Sequence, residues 1–428
     1  MYIEKNPWAI LFLLLITTLG LFINGYRYGV ADQAMYIPMI DRIINPYLFP
    51  GDYLFEEASE GYNLWIPAVA FLSRFIPKEW LFFTGYIITR ILLFWSIYHI
   101  SMNLFESRGA AFVGILFLLV RKPVGGTATS TQEVFFTLRS NAIPIALAFL
   151  IPYFRGRFIL SAILCGITFV IHPITAVPVV ILLVLRLIYD GFRRNRWLSL
   201  KAFGVFVLCV LPLFIQVFFI SKTNSSDLSF FSKSDLQWME IIRQRDSYIF
   251  ISSWNKNVFT FLAFYSILFL IITFIQSLSQ KKDIKISSLW SYLIILVCGV
   301  LFLIAYIFVQ VYPLPLVVQL QLARSFFLII NMSMIYAAWM LWEESQKSFS
   351  SIYMAISIIV PICIAAMFIS HSINQLILAG VTMIFWWICF HIKKLNYLIR
   401  IAFGLTWCFI VLYFREFFIN ALDLPLLR

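Results

Sequence analysis

A chain of 428 residues that is 62% hydrophobic and only 12% charged, with a mean hydropathy of +0.91, carries about half the charge expected of a soluble domain. Its formal net charge of +12 is scattered through short breaks between apolar runs rather than gathered in a basic arm. That distribution argues against nucleic acid as a partner and for an integral membrane protein whose surroundings are membrane lipids.

Apolar runs approaching the roughly 20 residues needed to span hydrocarbon as a helix recur along the whole chain. Taken in order, they predict spans near 7–24, 80–104, 109–120, 135–152, 158–171, 174–189, 201–220, 257–277, 288–310, 324–342, 351–370, 373–392 and 398–418. The expected fold is all-α: one polytopic transmembrane bundle over residues 1–428, with about 13 crossings. The first run has no basic leader and no small-residue cleavage site, so it reads as a retained helix rather than a signal peptide. The apolar segment from Trp65 to Ile76, flanked by Pro67 and Pro77, is too short to cross and reads as an interfacial or re-entrant piece.

Basic residues fall in alternate breaks: Arg155 and Arg157; Arg193, Arg194, Arg196 and Lys201; Lys281, Lys282 and Lys285; Lys393, Lys394 and Arg400. Placing the N-terminus in the cytoplasm puts every one of these loops on the cytoplasmic side, and an odd number of spans leaves the C-terminus outside. Two long loops, 25–79 and 221–256, then lie outside. Both are rich in aromatic residues, which argues against disorder and for function. The six cysteines sit singly inside apolar runs with no metal spacing, so they read as small buried hydrophobes.

The first external loop reads YRYGVADQAMYIPMIDRIINPYLFPGDYLFEE. Tyr36, Ile40 and Ile44, with Met35, Met39 and Ile43 beside them, form one face of a helix lying along the membrane surface. Asp41 and Arg42 occupy the other face, and Pro38 kinks the helix or marks its start. Asp32 stands just before it, where a carboxylate either caps the helix or serves chemistry. Asp52, in Pro50-Gly51-Asp52, carries the same two readings.

The stretch RKPVGGTATSTQEVFFTLRSNAIP places Glu133 and Arg139 at the start of a span. Their spacing of six puts them on different helix faces, so no local ion pair is expected. His172 interrupts an apolar run in FVIHPITAVP, as a turn hydrogen-bonder or a catalytic group. Arg243, Arg245 and Asp246 cluster beside aromatics in a form able to grip an oxyanion. YPLPLVVQLQLARSFFLII carries Gln319, Gln321 and Arg324 into apolar surroundings, where an ionisable group is a functional candidate. The chain has no G-x-S-x-G elbow, no HExxH helix and no Walker loop.

GVADQAMYIP with Asp32, TLRSNAIPIAL with Arg139, FVIHP with His172 and QLQLARSFF with Arg324 together resemble the GT-C superfamily of multi-spanning glycosyltransferases, in particular a group of bacterial relatives. That resemblance implies an inverting transfer of a sugar from a polyprenyl-phosphate donor, at the external face of the plasma (inner) membrane. The acceptor would be a lipid, glycan or protein. Asp32 would be the general base. Arg139, Arg243, Arg245 and Arg324 would bind the leaving phosphate, with His172 as a hydrogen-bond donor. Gln33, Glu133, Asp52 and Gln321 complete the expected substrate-binding set. Many members carry a second acid where this chain has Gln33, so a divalent metal (Mg or Mn) at Asp32 is left open. The competing readings are a polytopic transporter or flippase and an envelope polysaccharide polymerase or ligase.

Overall fold

Backbone polar groups in hydrocarbon must be satisfied within their own segment, so long apolar runs fold as helices. The computed structural model describes residues 7–52, 64–193, 195–223, 232–278 and 282–346. In chain order these form α1 (Pro7–Asn24), α2 (Gln33–Ile44), α3 (Trp65–Leu72), α4 (Lys78–Phe105), α5 (Arg108–Phe117), a two-residue antiparallel ladder of β1 (Pro123–Val124) with β2 (Thr129–Ser130), α6 (Leu138–Phe154), α7 (Phe158–Ile171), α8 (Pro173–Arg193), α9 (Arg196–Thr223), α10 (Leu236–Arg245), α11 (Lys256–Ser277), α12 (Lys282–Ala305), α13 (Pro315–Leu320) and α14 (Phe326–Gln346). A π-helical turn over Tyr306–Val311 extends α12, and a 3-10 turn at Leu322–Ser325 leads into α14.

Among the described residues, six helical stretches are long and apolar enough to cross a membrane: α4, α8, Arg196–Gln216 of α9, α11, Ser287–Val311 and Pro315–Glu343. Four more helices, α1, α5, α6 and α7, are apolar but shorter. The chain is therefore a helical, membrane-embedded protein. The spans expected at 351–370, 373–392 and 398–418 lie outside the described residues, as do Cys363, Cys389, Cys408, Lys393, Lys394, Arg400, Arg194 and Lys281.

Helices α6 to α9 follow one another through turns of one to three residues and pack side by side. Chain reversals of this kind put Arg139 and His172 at one end of the bundle and Arg155, Arg157, Arg193 and Arg196 at the other. The turn between α6 and α7 touches the far end of α8, where a Cβ on Gly156 would lie 3.3 Å from the Arg186 guanidinium. Within α8, Arg186 pairs with Asp190 and lies 3.7 Å over the Trp290 ring, so both charges are neutralised inside the bundle. Helix α14 runs through the middle of the core: Leu328, Ile330, Met332, Met334 and Ala337 are fully buried. Its Tyr336 hydroxyl is 2.6 Å from Ser291 Oγ of α12, the partner a buried phenol requires.

The described part of the first loop includes two short helices packed against the end of the bundle. Helix α2 runs through Pro38, which forgoes one intrahelical hydrogen bond without ending the helix. It buries Ile40 against Trp65, Ile66, Val69 and Ala70 of α3, together with Phe82, Tyr86, Phe136 and Leu138. A Lys78–Asp41 ion pair closes the outer edge. This satellite cluster holds the residues described next.

Candidate functional site

Asp32 is delivered by a sharp turn. Gly29 and Ala31 both take positive φ, 73° and 51°, and the second is uncommon for a residue with a Cβ. Asp32 precedes α2 but does not cap it with its side chain. Instead Oδ2 accepts a 3.0 Å hydrogen bond from Arg139 Nη2, a residue 107 positions away. The capping reading of Asp32 therefore fails: a stronger, charge-assisted partner takes the carboxylate.

Arg139 also donates from Nε to Glu133 Oε1 at 2.8 Å. This corrects the expectation that Glu133 and Arg139 cannot pair. The spacing argument assumed a helix from residue 135, but residues 131–137 form a loop and α6 begins at Leu138. Thr137 and Ser140 cap that start reciprocally, at 3.3 Å and 2.7 Å, which stops the helix from extending back through Glu133. The loop then folds over, and Glu133 meets the side chain it precedes by six.

The loop is anchored from below. Arg90, buried in α4, donates to Gln132 Oε1 at 3.0 Å and to the Glu133 carbonyl, and stacks over Tyr86 at 4.7 Å. Gln132 Nε2 in turn donates to the Leu118 and Leu119 carbonyls. A Cβ on Gly85 would lie 2.4 Å from the Phe136 ring, so only glycine lets α4 approach this loop so closely. The first loop is laced to the same segment: Arg27 N–H donates to the Val134 carbonyl at 2.8 Å, and Arg121 N–H to Asn24 Oδ1 at 3.1 Å.

Gln33, expected to face substrate, is fully buried in this lacing. Its Oε1 accepts from Gly29 N–H at 2.8 Å and its Nε2 donates to the Phe136 carbonyl at 2.9 Å. Both ends of the amide thus brace the loop that carries Asp32 against the loop that carries Glu133.

Arg324 reaches the same place from the other half of the chain. Gln321, at φ 45° and ψ 51°, reverses the backbone after α13 and turns the next residues inward. Arg324 is 9% exposed, and among the described residues its guanidinium makes no hydrogen bond or ion pair; its Nε is buried with no acceptor. The Gln321 Oε1 is likewise buried without a donor. Both residues line a small cavity of about 10 Å³, room for one water, with Gly126, Thr127 and Tyr248. The Tyr248 ring lies 5.9 Å from the Arg324 guanidinium.

Mutual electrostatics tie these groups into one site. The Tyr36 phenol is pushed up to about 12, chiefly by burial and by Asp32, with Arg139 and Arg324 opposing. His172, at the junction of α7 and α8, is pushed down to about 3 by burial first and then by Arg324 and Arg139. Its Nδ1 accepts the Thr175 N–H at 3.1 Å and lies 2.8 Å from Thr175 Oγ1. The neutral ring therefore carries its proton on Nε2, as a donor.

This has a consequence for stability. An unfolded histidine binds its proton below about 6.5, whereas the folded ring resists it down to about 3, so folding stability falls as pH drops through 6.5. Thermal melting in detergent at pH 7 and pH 5 should show wild type losing more stability on acidification than His172→Gln. Equal losses would show that His172 is already protonated in the folded state.

The remaining expected residues lie apart from this constellation or do other work. Arg243 stacks over Phe250 at 4.9 Å. Arg245 is an exposed side chain 3.9 Å from Asp246, too long for a hydrogen bond. Asp52 is exposed in the turn after α2, where its N–H bonds the Phe49 carbonyl at 3.3 Å. Tyr36 and Tyr248 were not singled out in the sequence. Tyr36 shares the apolar face of α2, and the signal for Tyr248 is its place two residues after Asp246. No protein-family model, curated protein or solved structure matches the chain.

The donor set bears on the expected metal. Asp32 and Glu133 are bridged by a guanidinium, which already supplies their positive partner, and Gln33 has both its amide groups on backbone. As folded, these residues do not fit a divalent Mg or Mn ion, and no step below is routed through one. Among the described residues no group of three or more His, Cys, Asp or Glu comes together elsewhere.

Proposed function

We propose that this chain is a membrane glycosyltransferase that moves a sugar from a polyprenyl-phosphate donor to a hydroxyl acceptor, at the membrane face that carries Asp32. One observation carries the reading: a carboxylate held by Arg139 shares its site with a buried guanidinium, Arg324, that makes no ion pair among the described residues. A buried cation without an anion is costly unless a ligand supplies one. A phosphate at the hydrocarbon edge is such a ligand, and Arg is the side chain that binds it best.

The roles divide accordingly. Arg139 holds Asp32 Oδ2, which leaves Oδ1 to take the proton of an acceptor hydroxyl. As that oxygen forms its bond to the anomeric carbon, the carbon–oxygen bond to the phosphate breaks and its electron pair stays on the phosphate. Arg324 stabilises the resulting anion, with the His172 Nε2–H as a second donor. Attack opposite the leaving group inverts the anomeric centre, and Asp32 later releases its proton to water. Arg139, expected to grip phosphate, becomes a positioning residue because both carboxylates already claim it. The half-buried Tyr36 ring, braced edge-on by Trp65 at 6.1 Å, offers an aromatic face to sugar or isoprenoid.

The basic loops at the opposite end of the bundle support reading the site face as external, with the N-terminus in the cytoplasm. Reconstituted protein incubated with radiolabelled polyprenyl-phosphate sugars is the direct test. Label appearing on an acceptor, with release of polyprenyl phosphate, is the expected result. Label that crosses the vesicle membrane still attached to its lipid would instead mark a flippase.

A further inference from the structure

At the opposite end of the bundle, the last turns of α8 and the first turns of α9 enclose a cavity of about 610 Å³. Its lining on α8, residues 184–192, lies about 18–30 Å along the helix from His172. Leu187, Ile188, Phe192 and Phe203 form its apolar wall, and Arg196 and Ser199 stand at its rim. Ile188 and Phe203 are each about half exposed and Phe192 is 89% exposed, on helices long and apolar enough to lie in a bilayer. The groove is thus open sideways to acyl chains.

Two polar features mark the end of the groove. Ser199 is 7% exposed, and among the described residues its Oγ has no hydrogen-bond partner. Arg196 is exposed and makes no hydrogen bond or ion pair among the described residues. Arg193 adds positive charge at the same helix end. The nearby acid, Asp190, is buried and paired with Arg186, and it does not oppose them.

We propose that this groove is a binding site for an anionic glycerophospholipid. One acyl chain lies along Leu187, Ile188 and Phe203, and the headgroup phosphate meets the Arg196 guanidinium and the Ser199 hydroxyl. The apolar wall requires a chain, which a free phosphate lacks. The unopposed charge selects an anionic headgroup over a zwitterionic one. This site is independent of the transferase reading, since it shares no residue with the Asp32 site.

Native mass spectrometry of the full chain in detergent tests it, with phosphatidylglycerol, phosphatidylcholine and inorganic phosphate as probes. Retained phosphatidylglycerol adducts, with phosphatidylcholine and phosphate lost, are expected. Arg196→Ala should weaken phosphatidylglycerol about fivefold, the worth of one basic residue at a lipid surface. Ile188→Trp, which fills the groove and keeps every charge, should weaken it as well. Lys201→Ala, outside the groove, should not. Equal retention of the two lipids overturns the proposal. So does a loss with Lys201→Ala as large as with Arg196→Ala, which would reduce the effect to general surface charge. Unchanged binding in both groove variants also overturns it.

Discussion

Asp32→Asn is expected to lower sugar transfer by about 10²- to 10⁴-fold, the usual contribution of a positioned general base. The fold should tolerate the change. Asp32 does not cap α2, its side chain is 36% exposed, and an amide oxygen can still accept from Arg139. An amide cannot take a proton from the acceptor hydroxyl, so chemistry is lost while geometry is kept. Initial rates with labelled donor in proteoliposomes, beside a melting curve in detergent, separate the two effects. Turnover at the wild-type rate would remove Asp32 as the base.

The second large effect is expected at Arg139. Glu133 is 7% exposed, and its ion pair among the described residues is to the Arg139 Nε. Arg139→Met strands that carboxylate in the interior and releases Asp32, and breaking a buried pair from one side costs about 3–5 kcal/mol. The apparent melting temperature should fall sharply, and transfer should be lost with it. The double variant Arg139→Met/Glu133→Gln removes the stranded charge and should recover much of the stability without recovering transfer. A positioning role predicts this split, because stability depends on neutralising Glu133 and transfer depends on aiming Asp32. If the double variant melts no higher than the single one, the cost lies elsewhere than in the Glu133 charge.

These two experiments address different links of one arrangement. Glu133 and Asp32 share one guanidinium, and among the described residues Arg324 has hydrogen bonds still to give. The backbone contributes to that division of labour. Ala31, Ala128 and Gln321 are three of the five non-glycine residues with positive φ among the described residues. They precede Asp32, border Thr127 in the Arg324 cavity and precede Arg324, respectively. Left-handed backbone costs about 1 kcal/mol or more at a residue with a Cβ and persists where surroundings over-determine it. Two of these positions, Ala31 and Gln321, stand just before the charged side chains they deliver to the site.

Helix content and membrane embedding were written into the chain itself, because hydrophobic length is a local property and each span satisfies its own backbone. The surface helix after α1 was legible for the same reason: its apolar residues recur at helical spacing, and α2 runs from Gln33 to Ile44 as that spacing requires. Candidate charges were also legible, since an arginine such as Arg324 in apolar sequence stands out wherever it goes. Which charge meets which was not legible. The Asp32–Arg139 bond joins residues 107 positions apart, and the Glu133–Arg139 bond depends on a helix starting at Leu138 rather than three residues earlier. Likewise Gln33 became a brace, and among the described residues Arg324 meets no anion, only because the loops carrying their neighbours folded against them. Local sequence sets how each segment meets the bilayer. Partner choice among buried charges is decided by long-range packing, where a shift of a few ångströms makes or removes a bond.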